Sequence, residues 1–134
     1  MNQSRFAAII LAAGSGTRMK SAIPKVMHPI AGQPMIAHLL RALEQVRPVA
    51  TVVVIGRQMD DVTRTVAPAQ TVVQDPPLGT GDAVRAALRA LEGRPASQGG
   101  IDEVLVLYGD TPLLRSETLA RLLSVATATY EKLS

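Results

Sequence analysis

The chain reads as an α/β protein whose doubly wound, mainly parallel sheet carries helices on both faces. Three observations predict this. Short apolar runs, Phe6-Ala7-Ala8-Ile9-Ile10-Leu11 and Thr51-Val52-Val53-Val54-Ile55, fit strands buried on both faces better than half-exposed ones, and Glu103-Val104-Leu105-Val106-Leu107-Tyr108 reads as a further strand. The stretches between them place apolar residues three and four apart, the helical period. Strand and helix alternate along the chain, the order of right-handed βαβ units in a Rossmann-like sheet.

Phe6 to Leu11 is the first strand and runs into a glycine-rich loop. Met35, Ile36, Leu39, Leu40, Leu43 and Val46 define an amphipathic helix from Pro34, a residue suited to a first helical turn. Thr51 to Ile55 is β-branched and ends at Gly56, so it is the second strand. Asp60 to Ala67 forms a helix closed by Pro68, and Thr71 to Gln74 a third strand. Asp75 to Gly81 is a loop, followed by a helix from about Asp82, its N-cap, in which Val84, Ala87, Leu88 and Leu91 share a face. Gly93 to Gly100 connects to the strand Glu103 to Tyr108, and Leu119, Leu122, Leu123 and Ala126 indicate a last helix.

With 134 residues and 47% hydrophobic composition the chain supports one folded unit rather than disorder. No window approaches the ~18 uninterrupted apolar residues of a membrane helix, and the polar N-terminus does not read as a signal peptide, so no membrane partner is expected. Cysteine is absent, which excludes disulfides and fits the cytoplasm. The net charge of +3 is scattered, and only 2% of residues are aromatic. A nucleic-acid groove with stacking platforms is therefore not expected.

Ligands of such sheets bind beyond the carboxyl ends of the strands, and here three loops follow strand ends. In the first, Gly14 and Gly16 let backbone N–H groups approach an anion, while Arg18, Lys20 and Lys25 bring positive charge. The second offers Gln74, Gly79 and Thr80, small or amide-bearing groups able to read the edge of a base. The third carries Asp110, which suits a Mg²⁺ ligand held against phosphate oxygens or the cap of a turn. The dinucleotide fingerprint fails because Met19 stands where its third glycine or alanine belongs, and a Walker Gly-Lys-Ser/Thr is missing. His28 is expected to be a structural hydrogen-bonding residue, and Gln74 can equally be a polar strand end. Together the loops imply a Mg²⁺-nucleotide.

The stretch Leu11-Ala12-Ala13-Gly14-Ser15-Gly16-Thr17-Arg18-Met19 with Pro24-Lys25 resembles the opening motif of the nucleotidyltransferases that activate sugar 1-phosphates. Ser21-Ala22-Ile23-Pro24-Lys25-Val26-Met27-His28 and Gly32-Gln33-Pro34-Met35 are similar to the N-acetylglucosamine-1-phosphate uridyltransferases within that family. Gln74, Leu78-Gly79-Thr80-Gly81, Tyr108-Gly109-Asp110 and Pro112-Leu113 continue the pattern in order. The resemblance implies the N-terminal half of a nucleotide-diphospho-sugar transferase fold. It implies that Leu11, Ala12, Ala13 and Gly14 line the uridine side, with Gly16 and Thr17 in the same binding loop. Arg18 and Lys25 would hold the phosphates and carry catalysis, and Gln74, Gly79 and Thr80 would read uracil. Tyr108, Gly109 and Asp110 would border nucleotide and sugar, with Asp110 on Mg²⁺. The implied partners are UTP and a sugar 1-phosphate, in a full-length form compatible with a homo-oligomer.

The pattern departs at Gly81-Asp82-Ala83, where the family usually continues Gly-His-Ala or Ala-His-Ala. Asp82 brings an anion near the nucleotide unless it is turned away as a helix cap. The resemblance also implies a sugar-binding half and a second metal ligand, an asparagine, outside these 134 residues. Residues 1–134 are accordingly expected to be the nucleotide-binding part, weakly active or inactive alone. Alternatives are another nucleotidyltransferase, of the isoprenoid cytidylyl or molybdopterin type, and a non-catalytic nucleotide-binding module. Ser21 to His28 and Leu78 to Gly81 argue against the first of these.

Overall fold

The computed structural model describes residues 5–13, 23–76, 79–93, 100–111 and 115–121. Its centre is a four-stranded parallel sheet of β1 (Phe6–Leu11), β4 (Ala50–Ile55), β5 (Gln70–Val73) and β6 (Glu103–Tyr108), in the order β5-β4-β1-β6. β1 is flanked on both sides, with Ile9 level with Val52 on β4 and Val106 on β6. That placement explains its composition, since all of Phe6 to Ile10 is buried. Strand alternation divides the core in two. Ala8, Ile10, Val53 and Ile55 face α1 (Met35–Val46) and α2 (Asp60–Val66), while Ala7, Ile9, Val52 and Val54 face α3 (Thr80–Glu92). Helices thus cover both faces, as expected for a doubly wound sheet. None among the described residues is long and apolar enough to cross a membrane.

The helix boundaries bring corrections. Pro34 occupies the N-cap of α1 with extended backbone (φ −56°, ψ 144°), so the helix begins at Met35 and not with the proline inside its first turn. α3 begins at Thr80, two residues before the expected start, and its N-cap is Gly79. Its buried stripe is Ala83, Ala87 and Leu91, four residues apart, whereas Leu88 is exposed. Short alanines let α3 lie close on β1 and β4, and turn Leu88 outward. Residues 116–121 are helical and bury Leu119, while Leu122, Leu123 and Ala126 lie outside the described residues.

The span between β1 and α1 holds two elements with no periodic signature. Lys25–Met27 is one 3₁₀ turn that buries Val26. β2 (Pro29–Ile30) and β3 (Gln33–Pro34) pair as a hairpin whose two-residue turn, Ala31 (φ 51°) and Gly32 (φ 81°), has the left-handed pair of a type I′ turn. His38 Nε2 on α1 donates to the Ile30 carbonyl at 2.6 Å and ties the hairpin to the helix.

Candidate functional site

Backbone hydrogen bonds carry the sheet past its strands at the carboxyl edge. Ala12 N–H donates to Val54 O (2.8 Å), Gln74 N–H to Ile55 O (2.8 Å) and Gly109 N–H to Leu11 O (2.9 Å). The loops after β1, β5 and β6 therefore leave from one rigid ledge. A cleft of about 200 Å³ opens there. Leu11, Ala12, Ala13, Lys25, Gln74, Gly79, Thr80, Tyr108 and Asp110 all line it, and Gly109 joins its last two wall residues. Val26 and Ala83 also line it, and sequence reasoning passed over both. Gly14, Gly16, Thr17, Arg18 and Lys20 lie outside the described residues. A wider groove of about 730 Å³ touches Ala50 and Gln70 at the opposite ends of β4 and β5, away from the edge where α/β sheets hold ligands.

Among the described residues Gln74 is the buried polar residue of the core, only 5% exposed. Its Nε2 donates to the Gly79 carbonyl (3.0 Å) and to Asp82 Oδ2 (3.1 Å). The expectation that Asp82 caps α3 is therefore corrected. Gly79 enters the helix at φ 100°, in the left-handed region open to glycine, and Thr80 becomes the first helical residue. Asp82 then falls inside the first turn, where a carboxylate is favoured by the helix dipole, and meets the Gln74 amide.

On the other side of the cleft Lys25 Nζ lies 3.2 Å from Asp110 Oδ2, with both side chains more than a third exposed. Val26 and Gly109 bring them together. Val26 is buried, and a Cβ built on Gly109 would stand 2.9 Å from Val26 Cγ1 and 3.3 Å from the Leu11 carbonyl. Only a residue without a side chain lets β6 close on β1 and the 3₁₀ turn there. Gly109→Ala is expected to cost about 1–3 kcal/mol through this overpacking. Chemical denaturation checks it, and an unchanged midpoint would mean that the junction yields freely.

The donor chemistry suits a hard divalent cation. Among the described residues no cluster of three or more His, Cys, Asp or Glu forms a protein cage, and Asp110 alone brings a carboxylate to the cleft. One carboxylate with substrate phosphates and water is the usual way Mg²⁺ is held.

A family model described as the MobA-like NTP transferase domain matches residues 8–133. The bifunctional protein GlmU of Rhodospirillum rubrum is 54% identical over 125 residues, 93% of this chain and 27% of that protein. This chain thus spans about a quarter of the length of that relative. Among solved structures, Rv0371c from Mycobacterium tuberculosis superposes with a TM-score of 0.75 at 22% identity, over 96% of this chain and 63% of that one. HddC from Yersinia pseudotuberculosis, solved in complex with GMP-PN, gives a TM-score of 0.68 at 26% identity, over 90% of this chain and 53% of that one.

Proposed function

Since the chain belongs to the MobA-like NTP transferase domain family, we propose that it forms the nucleotide-binding part of a sugar-1-phosphate uridylyltransferase. The reaction joins UTP and N-acetylglucosamine 1-phosphate into UDP-N-acetylglucosamine and pyrophosphate, feeding synthesis of cell-envelope polymers such as peptidoglycan and lipopolysaccharide. The carrying observation is the convergence of a fixed amide, Gln74, and a Lys25–Asp110 pair on opposite sides of one cleft. The similarity to GlmU and the motifs from Ser21 to His28 support the sugar acceptor over other acceptors. The absence of cysteine supports a cytoplasmic location.

In this reading a phosphate oxygen of the sugar 1-phosphate attacks the α-phosphorus of UTP. The bond from that phosphorus to the bridging oxygen breaks, and pyrophosphate leaves with the electron pair. The nucleophile is already anionic, so no side-chain base is required and His28 keeps a structural role. Such transfer rests on positioning and charge neutralisation. Gln74, Gly79 and Thr80 hold the base, Tyr108 and Gly109 border the nucleotide and sugar, and Lys25 places its ammonium against phosphate oxygens. Leu11, Ala12, Ala13 and Gly14 would line the uridine side, with Gly16 and Thr17 in the same binding loop and Arg18 on the triphosphate. Asp110 is the residue that would hold Mg²⁺, which supplies further charge neutralisation at the phosphates. In this reading the acceptor pocket and the second metal ligand are expected from the part of the GlmU relative's length that these 134 residues do not span.

Calorimetric titration tests the nucleotide assignment without requiring turnover. With Mg²⁺ present the protein is expected to bind UTP saturably, more tightly than ATP or CTP, and UDP-N-acetylglucosamine is expected to displace it. A protein that binds no nucleotide, or binds ATP as tightly as UTP, would overturn the reading.

A further inference from the structure

We infer that Asp82 is a positioning residue that locks the Gln74 side-chain amide, so that the cleft accepts a base edge with a ring N–H beside a carbonyl and rejects the edge of cytosine. The inference rests on the nucleotide-binding reading above and names what selects the base. Gln74 Nε2 has two hydrogens, and each meets an oxygen that can only accept from it: the Gly79 carbonyl and the Asp82 carboxylate. The amide nitrogen must therefore face them, because the flipped rotamer would set Oε1 against two acceptors. Among the described residues no donor is paired with Oε1. The buried amide thus keeps one free group for a ligand in the cleft that it lines, and that group is an acceptor.

The backbone supplies the complement. Thr80, Gly81 and Asp82 open α3, and first-turn N–H groups have no acceptor within their own helix. A fixed acceptor beside backbone donors matches a donor–acceptor edge such as N3–H and O4 of uracil or N1–H and O6 of guanine. Cytosine presents an acceptor at N3 and a donor at its exocyclic amine, the opposite order. Gly79 alone would leave one amide hydrogen of Gln74 unpaired and the amide freer to turn over. Asp82 removes that freedom from the start of α3, eight residues along the chain.

Binding of UTP, GTP and CTP to the parent protein, Asp82→Ala and Asp82→Asn tests this, with Mg²⁺ present throughout. Asp82→Ala is expected to lower the preference for UTP over CTP about tenfold, the order of one hydrogen bond, by weaker UTP and stronger CTP binding. Asp82→Asn keeps an oxygen able to accept from Gln74, so its preference is expected within about threefold of the parent's. A parent-like preference in Asp82→Ala overturns the inference, and so does an equal loss in both variants, which would assign the effect to charge. A parent that binds GTP over UTP overturns the uridylyl reading but supports the selected edge if Asp82→Ala then loses preference for GTP over CTP. A parent that binds none of the three overturns both.

Discussion

Asp110→Asn is expected to change UTP binding in opposite directions depending on Mg²⁺. With the metal, affinity should fall about 10- to 100-fold, because loss of even an outer-sphere partner of a metal costs that much and Asp110 is the carboxylate facing the cleft among the described residues. Without the metal, affinity should rise a few-fold. In the free protein Lys25 is paired with Asp110 at 3.2 Å, so a triphosphate must break that pair and then sit beside an uncompensated carboxylate. Asparagine removes the repulsion and releases the lysine. Asp110→Asn should hardly alter stability, since ion pairs this exposed contribute about 0–1 kcal/mol. Titrations with and without Mg²⁺ and a denaturation curve decide the point. A fall of the same size in both titrations would give Asp110 a role other than holding metal.

The central strands β1 and β4 were legible because they are buried on both faces and therefore written as unbroken apolar runs, whereas β6 carries an equally apolar run although Val104, Val106 and Tyr108 are exposed. Phe6 to Leu11 needs no partner to be recognised, and the spacing of Ile36, Leu39 and Leu43 is equally plain. That three loops meet at one edge also follows from alternating strands and helices, and the cleft shows it. The hairpin at Pro29–Ile30 and Gln33–Pro34 was illegible since two-residue strands have no period, and prolines at both ends conceal them. The start of α3 was misplaced for a different reason. Thr80 and Gly81 are poor helix formers, and only the glycine entry at position 79 and packing of Ala83 on the sheet carry the helix back to them. The resulting contact of Asp82 with Gln74 joins a strand end to a helix across a loop. No local pattern encodes it.

Lys25→Ala should weaken UTP binding about 10- to 100-fold in Mg²⁺, the loss of about 1.5–3 kcal/mol for a hydrogen bond to a charged group. The lysine is held at its base rather than its tip. Val26 anchors the 3₁₀ turn in the core against Gly109, while the Lys25 ammonium is half exposed and free to leave Asp110. Anchorage makes the loss specific to charge. Lys25→Met, which keeps an apolar stem, should therefore bind as poorly as Lys25→Ala, and Lys25→Arg should recover part of the affinity because the cation remains. Salt separates this from a packing effect: screening weakens exposed charge pairs, so affinity should fall less steeply with ionic strength in the alanine variant than in the parent. Stability is expected to move by less than about 1 kcal/mol, and Lys25→Ala combined with Asp110→Asn should show coupling no larger than that. If Lys25→Met bound UTP like the parent, the ammonium would have no part in holding the triphosphate, and the cationic side of the cleft would have to come from elsewhere in the chain.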